Sequence, residues 1–305
     1  MIRYRLCAVL LFWGGCWVQL GAAEAQLPAE TDHDEVSHVS YWYRNYDTRA
    51  SYALLDLALS KTTDLYGSYK ITRSPVITQG RAVLELQSES SGTIRVINVV
   101  PDLNREKNLI PVRIATDEGL VGFRVCIINE ADRDKFKGIR SHKDIAAQGI
   151  VFGQGLHWPD TYILRENALP VVTSAQYENL YPMLKSGRYH CFLRGINEAI
   201  ADLATHPDEG LMIEPGLLFA YPSVSLLFVR RSDKIMAARL ELGLRRAILD
   251  GSYAKYFAEE YFADLSLLNL GGRRIIRLNN PLLEDSLLTN IGSKLIFSDG
   301  KLQVY

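Results

Sequence analysis

Residues 149–193 read G-I-V-F-G-Q-G-L-H-W-P-D-T-Y-I-L-R-E-N-A-L-P-V-V-T-S-A-Q-Y-E-N-L-Y-P-M-L-K-S-G-R-Y-H-C-F-L, and their periodicity decides the fold class. Ile150–Phe152 is a short apolar run followed by the glycine-rich turn Gly153-Gln154-Gly155. Asp160–Glu166 reads as a helix and Pro170–Thr173 as a strand. Ser174 is expected to cap a second helix with Tyr177, Leu180, Tyr181 and Leu184 on its apolar face. Pro182 inside that helix is expected to bend it or cost it a hydrogen bond. Gly187 stops it, and Tyr189–Leu193 is a strand. Strands alternating with helices in this order predict a parallel sheet wrapped by helices.

The same β-α-β-α-β series occurs upstream. His38–Tyr43 is strand-like, and Ala50, Ala53, Leu54, Leu57 and Ala58 recur at helical spacing. Tyr69–Thr72 is a strand, Arg81–Gln87 a helix and Thr93–Val100 a strand. Pro101–Lys107 reads as a polar loop. Val112–Ala115 and Gly122–Ile128 are strand-like, and Ser141-His142-Lys143-Asp144 resembles a capping box. Downstream, residues 211–213 and 224–229 are strand-like. Ser232 is expected to cap a long helix with Ile235, Leu240, Leu244, Ala247 and Ile248 on one side. Gly251 breaks it ahead of a helix over Ser252–Tyr261. Arg273–Tyr305 carries two short strand-like runs with no assigned role.

A chain of 305 residues is long for one small core and suggests two domains. With 48% hydrophobic and 23% charged residues, its composition is that of a globular protein. The N-terminus reads as a cleaved export signal over residues 1–25. Arg3 and Arg5 precede the apolar run Leu6–Leu20, and Ala23-Glu24-Ala25 fits a small-residue cleavage site. A retained membrane anchor, or a lipoprotein acylated at Cys16, are the other readings of the same residues. The expected location is the periplasm. A formal net charge of −1 gives no electrostatic reason to bind nucleic acid. Cys126 and Cys191 remain after cleavage. A bridge between them is possible in an oxidising compartment, but spacing alone does not fix one, and two buried free thiols are the favoured reading. His and Cys show no metal-ligand spacing, so no metal or cofactor is expected.

Several stretches carry a resemblance. Ser91-Gly92-Thr93-Ile94-Arg95-Val96, Asn104-Arg105-Glu106-Lys107, Ser186-Gly187-Arg188-Tyr189-His190-Cys191 and Leu249-Asp250-Gly251-Ser252-Tyr253 stand in the order and context of equivalent motifs in the type II periplasmic solute-binding proteins. The likeness is greatest to the extracellular binding proteins for amino acids and related solutes, and it spans residues 38–262. It implies an α/β fold of two lobes, each a mainly parallel sheet flanked by helices. Lobe one is expected to be discontinuous, residues 38–124 plus 229–305. Lobe two, residues 125–228, is inserted, and the hinge is expected near 123–128 and 223–229. Closure about such a hinge buries a ligand between the lobes.

In parallel α/β lobes, ligands gather where strands end and helices begin. Trp42 and Tyr43 follow the first strand and offer flat faces for stacking, or equally for packing into the core. If the strand continues through them they alternate, so that one faces the cleft. The resemblance implies that Arg105 pairs a substrate carboxylate, for which a guanidinium fork is well shaped. Gly155 would allow close backbone approach, and Trp158 either caps the cleft or packs on its own lobe. Arg194, Asn197 and Glu198 follow the strand ending at Leu193. The resembled motif carries an acid for the ligand's amino group where this chain has His190. Glu198 would replace it, or Arg194 would make the site one for an acid without an amino group.

The resulting expectation is a monomeric, non-catalytic binding protein. It would take a small polar or anionic solute, an amino acid or organic acid, for a membrane transporter, as in ABC systems, or a sensor. A periplasmic enzyme on the same fold, or an interaction protein with a degenerate cleft, are the alternatives. The sequence shows neither a G-x-S-x-G elbow nor an H-E-x-x-H helix.

Overall fold

The computed structural model describes residues 36–207 and 210–282, with the backbone of two further strands at 295–298 and 301–304. The expected export signal lies outside these residues.

The first α/β unit runs β1 (Ser37–Tyr41), α1 (Tyr43–Asp47), α2 (Arg49–Ser60), α3 (Thr63–Tyr66), β2 (Tyr69–Arg73), α4 (Gln79–Gln87), β3 (Val96–Val99), α5 (Leu103–Asn108) and β4 (Leu109–Val112). The second runs β5 (Phe123–Asn129), α6 (His142–Ala147), β6 (Phe152–Gly155), α7 (Pro159–Glu166), β7 (Val171–Ser174), α8 (Leu180–Lys185), β8 (Cys191–Gly195), α9 (Ala199–Ala204), β9 (Leu211–Ile213) and β10 (Leu217–Ala220). The chain then returns through β11 (Leu226–Arg230), α10 (Lys234–Leu249) and α11 (Ser252–Leu267) before β12 (Arg274–Arg277) and the hairpin β13 (Leu295–Ser298) and β14 (Lys301–Val304).

Two sheets result. The first has the order β2-β1-β3-β11-β4, with β1, β2 and β3 parallel and β11 antiparallel to both neighbours. The second has the order β12-β10-β5-β8-β6-β7, with β9 also on β5. Its β7, β6 and β8 are parallel, and β5 runs against β8. Both βαβαβ series therefore form as expected. The central strands β5, β6, β8, β10 and β11 are buried on both faces, as helix-covered sheets require. Along β11, Leu227 and Val229 enter the core beneath α2, α10 and α11, while Leu226 and Phe228 enter the core beneath α4. Gly243 lets α10 press onto α2: a Cβ there would stand 1.8 Å from the Ala58 carbonyl oxygen.

Several local expectations change. Asp102 caps α5 by accepting from the Arg105 N–H at 2.9 Å, so the polar run after β3 is helical. Ser141 does cap α6. Ser174 ends β7 instead of capping a helix. The following helix opens with a 3-10 turn at Tyr177–Asn179 and becomes α-helical at Leu180, which places Pro182 in the first α-helical turn. The cap of α10 is Asp233, and the buried face of that helix carries Met236, Leu240, Leu244 and Ala247, leaving Ile235 and Ile248 exposed. Cys126 and Cys191 are bonded to each other across β5 and β8, with Cα atoms 5.0 Å apart. The free-thiol reading is thereby corrected, because two strands distant in sequence are neighbours in the sheet.

The chain passes between the sheets at residues 113–122 and 221–225, immediately before the β5 and β11 segments expected to cross. A third passage occupies residues 268–273. It delivers β12 into the second sheet, parallel to β10, so residues 229–305 do not belong whole to the first lobe. Residues 278–282 after β12 stay on that lobe, where the Asn167 side-chain amide donates to the Asn279 carbonyl at 2.7 Å.

Candidate cleft site

The loops that follow β1 and β3 face those that follow β6 and β8. β1 ends at Tyr41 and Trp42 is the cap of α1, so Trp42 and Tyr43 do not alternate along a strand. Both border the cleft. Trp42 is anchored by its indole N–H to the Ile77 carbonyl at 3.0 Å, and Tyr43 lies edge-on against it. The Tyr43 hydroxyl reaches across to Glu178 of the second lobe at 2.9 Å. Beside it, the Arg44 guanidinium lies 3.3 Å from the centre of the Tyr177 ring.

Arg105 is buried on α5, and its donors are engaged within the protein. Nε faces Asp102 at 3.1 Å, Nη1 donates to the Val100 carbonyl, and Nη2 donates to Gln79 at 3.0 Å and to the His157 carbonyl at 3.1 Å. The last of these crosses to the second lobe. Arg105 therefore acts first as a tie between lobes, and its fork is not turned free toward the cleft.

On the second lobe, Gly155 ends β6 directly beneath Trp158. A Cβ at Gly155 would stand 2.5 Å from the indole, so the glycine makes room for the ring rather than for a solute. Trp158 stacks near-parallel on Phe192 at 6.2 Å, and the Arg194 guanidinium lies 4.9 Å from its centre. Arg194, on β8, pairs Asp202 and Glu198, the latter at 3.1 Å. Glu198 also accepts from the Gly195 N–H at 3.3 Å. Burial works against its charge, but the guanidiniums of Arg194, Arg124 and Arg44 hold it below the usual carboxylate range. Asn197 turns away: its side-chain amide donates to Asp117 at 3.1 Å, in the first crossing segment.

Three contributors come from outside the residues singled out in the sequence. Arg124 on β5 is 2% exposed and pairs Asp160 at 2.7 Å. Asp160, in the first turn of α7, also accepts from the Tyr221 hydroxyl. Arg44 completes the group. Together Arg44, Arg105, Arg124 and Arg194 line a chamber of about 100 Å³, with Asp160 and Glu198 the acids on its wall. A second chamber of about 130 Å³ adjoins Trp42, Tyr43, Gly155, Trp158 and Tyr177. The partners Asp102 and Asp202 lie behind Arg105 and Arg194, outside the first chamber's wall. Four guanidiniums and two carboxylates therefore stand on its wall.

No protein-family model matches the sequence, and no curated protein matches it. Solved structures do match in fold. An ancestral arginine-binding protein bound to arginine superposes with a TM-score of 0.53 over 75% of this chain and 99% of its own, at 16% identity. The arginine-, lysine-, histidine-binding protein of Geobacillus stearothermophilus gives 0.55 over 75% and 96%, at 11% identity. A periplasmic His/Glu/Gln/Arg/opine family-binding protein from Silicibacter pomeroyi, in complex with lysine, gives 0.54 over 74% and 97%, at 11% identity. The chain has the type II periplasmic binding-protein fold. Within this fold the opposed loops described above form the interlobe cleft.

Proposed function

We propose that this protein binds a small anionic solute between its two lobes and hands it to a membrane transporter or sensor in the periplasm. The observation that carries the reading is the convergence of four arginines, two from each lobe, on one chamber. Fixed guanidiniums in a water-poor cleft recognise oxyanions by charge and by paired hydrogen bonds. The fold supports the mode of action, because lobes joined by thin crossings close on what lies between them. The rim contacts Tyr43–Glu178, Arg44–Tyr177 and Arg105–His157 describe the closed state of such a movement. The proteins of similar fold are named for binding amino acids, cationic ones among them, and the cleft here is lined by arginines. Export by the N-terminal signal and action as a monomer belong to the same proposal.

A thermal-shift screen against amino acids, organic acids, polyamines and sugars tests it. A solute present at about 100 times its dissociation constant adds about 2.7 kcal/mol to the folded state, enough to raise the melting point measurably. Stabilisation by organic acids and not by polyamines is the expected result. Stabilisation by polyamines or cationic amino acids alone would overturn the anion preference. A folded protein that answers to no solute would leave the interaction-protein alternative.

A further inference from the structure

Asp117 stands behind the chamber that the four arginines line. It is 1% exposed and lies in the first crossing between the lobes. Its Oδ1 accepts from the backbone N–H groups of Gly119 at 3.2 Å and Ser225 at 3.5 Å. Its Oδ2 accepts from the Val121 N–H at 3.1 Å and from the Asn197 side-chain amide at 3.1 Å. One carboxyl thus gathers the first crossing, the second crossing and the corner between β8 and α9. Val121 and Ser225 also line the chamber, as does Glu198, the neighbour of Asn197. The corner is closely folded. A Cβ on Gly195 would stand 2.4 Å from Asn197 Oδ1 and 2.9 Å from Glu198 Oε2, so both side chains fold back over the same glycine. Asp117 holds the Asn197 amide through its nitrogen, while the buried amide oxygen has no hydrogen-bond partner among the described residues. A buried acceptor is costly to leave unmet.

We propose that Asp117 is a positioning residue for the cleft acid Glu198, acting through Asn197, and that a proton on Asp117 resets it. The inference rests on the solute-binding function proposed above and names a regulation of that site. The groups that Asp117 accepts from are all N–H donors, as an ionised carboxylate requires. A proton arriving on Oδ2 finds no acceptor among them. The backbone donors are fixed by the turn at Gly119, whose φ is 83°, so the Asn197 amide is the partner free to turn. Turned over, it accepts the new proton with its unmet oxygen and brings its nitrogen above Gly195, beside Glu198 Oε2. The proton is thereby felt at the carboxylate that pairs Arg194. The titratable groups facing Asp117 are Glu198 from the corner, Glu118 beside it in the chain, and the phenols of Tyr253, Tyr256 and Tyr261 from α11. Burial and the Glu198 charge favour the proton, the backbone N–H groups oppose it, and the balance lies at about 7. An anion held by the arginines adds to the charge of Glu198, so its binding and the protonation of Asp117 favour each other.

The test is a series of proton–nitrogen correlation spectra of the purified protein by nuclear magnetic resonance, from pH 5.5 to 8.5, with no solute added. The backbone amide of Gly195, which donates to Glu198, and the side-chain amide of Asn197 are expected to shift together with a midpoint of about 7. In Asp117→Asn both shifts are expected to be lost, whereas any shift caused by histidines would persist. Asn197→Ala keeps the carboxyl and removes the relay. There the Val121 amide is expected still to titrate while the Gly195 amide stands still. A Gly195 amide that does not move in the unaltered protein would overturn the inference. So would one that moves as far in Asp117→Asn or in Asn197→Ala as in the unaltered protein. Should Asp117→Asn fail to fold, Asn197→Ala decides. Failure of every solute in the broader screen would instead sink the binding function and leave these shifts in place.

Discussion

At the residue scale, the cleft is built from side chains whose roles depend on partners far away in sequence. Trp42, Tyr43, Arg105, Trp158, Arg194 and Glu198 could be picked out because they follow strands, and all six border the cleft. What they touch there could not be read. The engagement of Arg105 by Gln79 and His157 joins positions 26 and 52 residues away. Arg124 sits within a continuous apolar run, Phe123–Ile128, where a strand was legible but a buried ion pair with Asp160 was not. Asn197 followed the correct strand yet turns to Asp117. That carboxyl is enclosed between both crossings and receives N–H groups from Gly119, Val121 and Asn197, with Glu198 and the phenols of Tyr253, Tyr256 and Tyr261 among the titratable groups around it. Burial pushes its pKa up to about 7, against the pull of the backbone N–H groups. A carboxyl raised in the folded state contributes stability that is complete below its unfolded pKa of about 4 and is lost as pH rises through 7. Asp117→Asn, which never ionises, is therefore expected to gain on the unaltered protein as pH rises from 4 to 7.5. Urea midpoints across that range check this, and a constant difference between the two proteins would contradict it.

At the element scale, periodicity served well wherever an element buries one continuous face, as α2, α4 and the β11 strand do. It failed where a side chain outside the apolar pattern sets the boundary. Asp102 turns a polar stretch into α5, and the late start of α8 places Pro182 in its first turn. The β5–β8 pair shows the same limit. Both strands were visible, but their adjacency, and so the Cys126–Cys191 bond, is a property of the sheet. That bond closes a loop with a sequence separation of 65. The chain-entropy treatment gives about 4 kcal/mol for a loop of this length. The Cys126→Ala, Cys191→Ala double variant is accordingly expected to lose about 4 kcal/mol or somewhat less by urea unfolding, without loss of secondary structure. No measurable loss would show that the bond constrains nothing.

At the scale of the whole molecule, the repeated βαβαβ series indicated two α/β units, and the resemblance to type II periplasmic solute-binding proteins implied that one is inserted in the other. The position of β12 was not legible, because a four-residue strand carries no mark of which sheet it joins. Its place beside β10 adds a third passage between the lobes, near the two that flank β5 and β11. The arginines that line the cleft come from β5, β8, α1 and α5, two from each lobe. A crystal structure grown with the organic acid that stabilises the protein most would test that convergence. The anion is expected in the interlobe chamber, against the guanidiniums that line it. An anion bound on an outer face, with only water between Arg124 and Arg194, would contradict the assignment of this cleft as an anion site.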